Sequence, residues 1–183
     1  MLRLPVAPDH RRALLLGDHR LAPDRPWAGQ RDNAIVARLG AMPGWRVACV
    51  AEPRSTAAAV RYVQVPRFLE MDFAPDLVVL AVGGADLEPA GVDPKLLDTA
   101  LEGLAGHVDA AWERVIARAP GVPGVLSGID PSDPGPWPLP GAWVDRVNAV
   151  LEGVATRRDL AWAGPEESLA YVVERMAGGM GWG

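Results

Sequence analysis

The sequence predicts an α/β protein, a three-layer α/β/α sandwich around a central parallel sheet of about five strands. Short apolar runs bounded by turn residues alternate with longer segments of helical period. The clearest run, "DLVVLAVGG" (76–84), is apolar on both faces, which is typical of a strand buried inside a parallel sheet. The 183 residues suffice for one core. We therefore expect one domain over 1–177 and a flexible glycine-rich tail over 178–183.

Five runs predict the strands, and the helices alternate with them. The strands are expected at 13–17, 45–51, 76–84, 121–129 and 160–164. The helices are expected at 31–42, 55–63, 93–115, 142–154 and 165–176. Asp93 is the expected N-cap of the longest helix, with Pro94 at its first position. Because ligands bind beyond the carboxyl ends of parallel strands, a site is expected in the loops "GDHR", "EPRS" and "GGAD" and around "DLAWAG".

Composition excludes several classes of function. A formal net charge of −5 argues against nucleic acid or an anionic membrane surface as the main partner. No run reaches the roughly 20 apolar residues of a membrane span, and the N-terminus lacks a signal-type apolar region, so we expect a soluble cytoplasmic protein. Cys49 is the single cysteine, and the three histidines lack zinc-site spacing. Without a phosphate-loop or dinucleotide motif, we expect no metal and no cofactor.

The order of these loops resembles that of the SGNH/GDSL hydrolases, in particular their actinobacterial-type branch. Its blocks are G-D-S, a later Gly, G-G-N-D and a late D-x-x-H. The best segment, "VPRFLEMDFAPDLVVLAVGGADLEPAGVDPKLLDTALEGL", resembles the third block with its flanks, and the resemblance covers nearly the whole chain. It implies an SGNH/flavodoxin-like sandwich and a Ser nucleophile activated by the late Asp and His. The Ser amide, the Gly amide and the Asn side chain are then expected to form an oxyanion hole.

Carried over onto this chain, the resemblance fails at each of these positions. His19 follows Gly17 and Asp18 where the Ser is implied, and Ala85 precedes Asp86 where the Asn is implied. The second-block Gly falls on Arg54, which predicts a different loop shape if the glycine has a positive φ.

The late block is matched literally by Asp159 and Trp162, which puts Trp162 at the His position. Alternatively, "LAWAG" is the fifth strand itself and the catalytic loop is absent. No histidine follows His107, so the triad base is missing in either case. Losing one oxyanion donor costs about 10²–10³ in rate, and losing the nucleophile or base removes nearly all of the triad's contribution. We therefore expect the serine-hydrolase mechanism to be lost.

Three functions remain open. The first is binding of an acyl or polyketide-like small molecule: Ala85 opens room, Arg54 pairs with a carboxylate or phosphate, and Trp162 and Trp137 form apolar walls. Trp137 lies in the proline-rich loop 130–141 and is the best candidate for a lid. In the second alternative, the protein is a repurposed enzyme of specialised metabolism.

In that enzyme His19 is the acid or base, beside Asp18, Asp86 and Asp159, for cyclisation, elimination or isomerisation. The structural alternative for Asp18 and Asp86 is that they cap helices or brace loops by accepting backbone N–H bonds. The third function is a non-catalytic partner or scaffold of another enzyme. A residual ester hydrolase or acyltransferase is the remaining alternative.

Overall fold

A computed structural model of the chain describes residues 10–22, 34–130, 139–165 and 167–179. It contains one five-stranded sheet in the order β2-β1-β3-β4-β5, and every pairing between neighbours is parallel. The strands are β1 (Arg11–Gly17), β2 (Trp45–Cys49), β3 (Leu77–Ala81), β4 (Gly124–Ser127) and β5 (Ala161–Ala163). The predicted parallel sheet of about five strands is confirmed.

Helices cover both faces of this sheet. They are α1 (Ala34–Ala41), α2 (Ala57–Ala59), α3 (Val65–Glu70), α4 (Glu88–Val92), α5 (Leu97–Arg118), α6 (Gly141–Arg158) and α7 (Leu169–Gly179). A π-helical turn, Val60–Gln64, joins α2 to α3, and 3-10 turns, Ala85–Leu87 and Pro94–Leu96, precede α4 and α5. None of the described helices is both long and apolar enough to cross a membrane.

The two faces of the sheet form two separate hydrophobic clusters. Along β1, Leu14 and Leu16 pack with residues of α5 and α6, whereas Leu15 packs on the opposite face with residues of α1 and α7. Successive side chains of a strand point to opposite faces, so a strand buried on both sides must be apolar at every position. The continuous apolar runs of the sequence therefore correspond to the middle layer of a three-layer sandwich.

Several element boundaries differ from the predicted ones. The helical segment after β2 continues to Glu70, because the π-helical turn puts Pro66 in the first turn of α3, where a missing amide donor costs little. Asp93 is the predicted N-cap and accepts a bond from the Lys95 amide at 3.0 Å, but the first turn is 3-10 and α5 begins at Leu97. Helix α7 includes Gly178 and Gly179, both assigned above to the tail.

Candidate functional site

The loops after the strands converge at the carboxyl edge of the sheet, where β1 lies between β2 and β3. Gly17 ends β1 with φ +135°, and the next amide, that of Asp18, donates to the Ala81 carbonyl at 2.9 Å. A Cβ on Gly17 would lie 2.8 Å from the Ala81 carbonyl carbon and closer still to its oxygen. The first loop of the site therefore requires glycine at this position on two counts, φ and space.

Asp18 is buried and its carboxylate is held by Arg20. Oδ1 accepts from the backbone N and the Nε of Arg20, both at 3.0 Å, and Oδ2 accepts from Nη2 at 2.8 Å. The same guanidinium donates through Nη1 to the Gly128 carbonyl at 2.6 Å. Arg20 therefore links the loop after β1 to the loop after β4. The sequence did not predict that Arg20 links these loops. The only sign of it there is an arginine two residues after an aspartate in "GDHR".

His19 stands at the position where the resemblance implies a nucleophile, and it is only 8% exposed. Its Nδ1 lies 3.7 Å from Asp18 Oδ1, which is longer than a hydrogen bond. In a catalytic triad the carboxylate accepts a bond from the imidazole N–H and so orients the ring. Here that carboxylate is bonded to Arg20 instead, so Asp18 does not orient His19 in this way.

Asp86 lies in the 3-10 turn after β3 and braces the start of α2. Its Oδ1 and Oδ2 accept from the Ala57 amide at 2.9 and 3.1 Å. Burial raises the pKa of Asp86 to about 6; the charge of Asp18 adds to the rise, and bonds from the Ala57 and Gly83 amides oppose it. Asp18 and Asp86 thus lie close enough to interact, and each bonds a backbone amide, as in the structural alternative given above.

Ala85 and Gly84 form the open part of this edge. Ala85 is half-buried, and a Cβ built on Gly84 would meet no atom within 4 Å. Open space therefore lies beside Gly84, the neighbour of Ala85.

Arg54, at the position implied for the second block, has φ +61°. The arginine itself therefore adopts the left-handed conformation, which costs an L-residue about 1–2 kcal/mol. Its side chain is half exposed, and Nη2 lies 3.1 and 3.2 Å from the two carboxylate oxygens of Glu88. This ion pair directs the guanidinium toward α4.

Gln64, which we did not select from the sequence, joins the first two loops. From the π-helical turn, its Oε1 accepts from the Gly17 amide at 2.7 Å, and its Nε2 donates to the Gly17 carbonyl at 2.9 Å. The same Nε2 donates to Ser55 Oγ at 2.8 Å. Gln64 is 1% exposed, so all these bonds lie in the protein interior. A glutamine in an ordinary helical segment carries no sequence signal for this role.

Asn148 of α6 holds the loop after β4 in the same manner. Its Oδ1 accepts from the Ile129 amide at 2.7 Å and its Nδ2 donates to the Ile129 carbonyl at 3.0 Å. Ser127 Oγ donates to the Gly128 carbonyl at 2.9 Å. Side chains from two elements, Asn148 of α6 and Ser127 of β4, therefore fix this loop. The sequence did not indicate either role.

Asp159 and Trp162 do not form a late catalytic block. Asp159 is the exposed C-cap of α6, with φ +54°, and it precedes β5 at the amino edge of the sheet, away from His19. Trp162 lies within β5, opposite Leu126. The alternative in which "LAWAG" is the fifth strand is thus the one observed.

The indole of Trp162 nevertheless borders the site from the sheet. A Cβ on Gly128 would lie 3.0 and 3.1 Å from its Cη2 and Cζ2, so the ring packs on the residue whose carbonyl accepts from Arg20. Trp137, the expected lid residue, lies outside the described residues.

Comparisons with solved structures identify the fold. Phospholipase A1 from Streptomyces albidoflavus NA297 is 19% identical, with a TM-score of 0.62 over 84% of this chain and 79% of that one. The extracellular lipase from Streptomyces rimosus is 18% identical, with a TM-score of 0.62 over 84% and 80%. AlinE4, an SGNH-hydrolase family esterase, is 18% identical, with a TM-score of 0.57 over 86% and 77%. No protein-family profile and no curated protein matches the sequence. The sheet, the helices on both its faces and these similarities together establish that the chain has the fold of the SGNH hydrolases.

Proposed function

We propose that this chain is an SGNH-fold protein without serine-hydrolase activity that binds a small acyl or polyketide-like compound at the carboxyl edge of the sheet. The observation that carries the proposal is the state of the first loop: a buried His19 stands at the nucleophile position, and Asp18 is bonded to Arg20 rather than to an imidazole. A hydroxyl nucleophile needs a base to take its proton. The first loop contains no serine to supply that hydroxyl.

The serines described in the loops after β2 and β4, Ser55 and Ser127, form bonds that do not support hydrolysis. Ser55 Oγ accepts a bond from Gln64, and Ser127 Oγ donates to the Gly128 carbonyl. Both residues are buried, at 5% and 4% exposure. A buried hydroxyl bonded to the protein supports the loops rather than attacking a substrate.

The ligand class follows from the open part of the edge. A Cβ on Gly84 would meet no atom within 4 Å, and Trp162 packs an apolar ring on Gly128 in the loop after β4. Two of the similar structures are named as a lipase and a phospholipase, so acyl compounds are the first class to test.

A second candidate is acid–base catalysis by His19 on the bound compound, as cyclisation, elimination or isomerisation. Its support is the cluster of His19 and two carboxylates, one of which, Asp86, has its pKa raised by burial to about 6. A group that titrates near neutrality is able both to give and to take a proton there.

Ligand-dependent thermal unfolding tests the binding proposal. With octanoate or decanoate, we expect the Tm of the wild-type protein to rise with ligand concentration. Ala85→Leu fills the open space and should abolish that rise. Ala117→Leu is the matched control, because Ala117 is an exposed residue of α5 near the amino edge of the sheet. The proposal is wrong if neither acid raises the Tm, or if both variants respond alike.

Ester hydrolysis and product analysis separate the remaining functions. We expect p-nitrophenyl butyrate to be hydrolysed no faster by the wild type than by His19→Gln. A wild-type rate 100-fold above that variant would show a working hydrolase. Mass spectrometry of the recovered acid distinguishes the second candidate, which predicts a chemically altered compound that His19→Gln no longer forms.

A further inference from the structure

A basic and aromatic cluster lies outside the candidate site, on the π-helical turn and on α5. We call it the Arg61 cluster; its members are Arg61, Tyr62, His107 and Arg114. The Arg61 guanidinium lies 4.8 Å from the centroid of the Tyr62 ring, and its Nη1 is 3.4 Å from His107 Nδ1. The Tyr62 and His107 rings meet edge to face at 5.6 Å. Arg114 Nη1 donates to the Arg61 carbonyl at 3.1 Å. The cluster is therefore held in place by its own contacts.

The charge of this cluster contrasts with that of the rest of the chain. The net charge is −5, and arginines such as Arg38, Arg67 and Arg146 each meet a carboxylate. Within the described part of the chain, neither Arg61 nor Arg114 has a carboxylate oxygen within 4.0 Å. Arg114 is thus held against the backbone of Arg61, and neither guanidinium has a protein counter-charge among these residues.

His107 adds a neutral donor to the cluster. Burial, and to a smaller degree the charge of Arg61, lowers the pKa of His107 below its usual 6.5. Because a guanidinium only donates, Nδ1 faces Arg61 as an acceptor, and the ring proton is then on Nε2. The hydrogen bonds to His107 Nδ1 and to the Arg61 carbonyl each use one N–H of an arginine. A guanidinium has five N–H donors in all.

We propose that the Arg61 cluster binds the phosphate group of a phosphate monoester or diphosphate. Two guanidinium forks match an anion with two charges and several oxygens, whereas a single carboxylate would balance only one arginine. The π-helical turn fits this role, because such turns are frequent at functional sites. In this turn Gln64 is buried, Tyr62 is exposed and Arg61 is half-buried.

Titration with inorganic phosphate and with pyrophosphate, followed by NMR of the His107 ring, tests the proposal. Ionic strength is held constant with NaCl, and His107→Gln identifies the signal among the three histidines. We expect a saturable shift for both probes, with pyrophosphate binding more tightly. Arg61→Gln and Arg114→Gln should each weaken binding at least 10-fold. Arg46→Gln, which removes an exposed arginine on β2, should leave binding unchanged.

The opposite outcomes would overturn the proposal. A shift that grows linearly without saturation, or an affinity unchanged in Arg114→Gln, shows ionic screening rather than a site. Arg114 is exposed, so that variant remains informative if Arg61→Gln perturbs the fold by circular dichroism. Phosphate binding is independent of the proposed acyl ligand, and Ala85→Leu should therefore bind phosphate like the wild type.

Discussion

The loops after β1 and β2 lie side by side, yet they constrain their residues differently. In the first, Gly17 has a positive φ, contacts Ala81 and is bonded by Gln64 through both backbone groups. In the second, Arg54 has a positive φ as well, but its side chain extends to Glu88 and is half exposed. The difference shows that a left-handed turn alone admits arginine, whereas a left-handed turn against a neighbouring strand admits only glycine.

This contrast explains how the chemistry of the edge can change while the fold persists. The bonds that shape the loops are made by backbone groups and by buried side chains such as Gln64 and Asn148. Gln64 and Asn148 lie outside the positions where the resemblance implies a nucleophile and an oxyanion donor, His19 and Ala85. The side-chain support that Gln64 and Asn148 give the loops therefore does not depend on a serine or an asparagine at those two positions.

Gly17→Ala should have the largest effect, because it tests the loop that admits only glycine. The added Cβ would overlap the Ala81 carbonyl, and φ +135° is strained for any L-residue. We expect a loss of at least about 4 kcal/mol in the free energy of unfolding, or failure to fold. Urea unfolding measures it, with Gly40→Ala as the control, since Gly40 lies in α1 with open space around it and alanine favours helix by up to about 1 kcal/mol. Similar stability in both variants would contradict the comparison.

Asp86→Asn sharpens the comparison at a residue that interacts with both sides: its carboxylate accepts from the Ala57 amide after the second loop, and it senses the charge of Asp18 in the first. The folded pKa is about 6 against an ordinary 3.8, so between pH 4 and pH 6 the unfolded chain releases this proton first, and wild-type stability falls as pH rises. A difference of one in pKa corresponds to about 1.36 kcal/mol. The loss in the free energy of unfolding of the wild type therefore approaches about 3 kcal/mol above pH 6 and is absent below pH 3.8. Asn still accepts from the Ala57 amide but does not ionise.

Urea unfolding at pH 4 and pH 7.5 measures this prediction. The stability of Asp86→Asn relative to wild type should rise by about 2–3 kcal/mol between the two values. Titrations elsewhere in the chain cancel in that difference. A difference independent of pH would show that Asp86 is not perturbed by burial and by Asp18.

Arg54→Gly should have the smallest effect. Glycine relieves the left-handed strain but also removes the Glu88 ion pair and loosens the unfolded chain, so we expect a net change within about 1 kcal/mol. Arg54→Ala loses the same ion pair and keeps the Cβ. The glycine variant should therefore be more stable than the alanine variant by about 1 kcal/mol in urea unfolding. An alanine variant as stable as the glycine variant would mean that the loop relaxes to a negative φ.

Local pattern predicted the elements better than the site. The apolar runs identified all five strands, because the segments of a strand that are buried on both faces are mostly apolar. The literal match of Asp159 and Trp162 to a late block failed, because four residues carry no information on whether they form a strand or a loop. Arg20, Gln64 and Asn148 were missed because each acts on a backbone group far along the chain: 108, 47 and 19 residues away.

The sequence by itself determined the alternation of strands and helices, the parallel sheet and the absence of a serine in the first loop, since these depend on residue type and local spacing. Only the tertiary structure decided the strand order, the backbone of Arg54 and the partners of Asp18 and Asp86. Those depend on which loops the sheet brings together at its carboxyl edge. The conformation and charge of each residue there are set by neighbours distant in the chain.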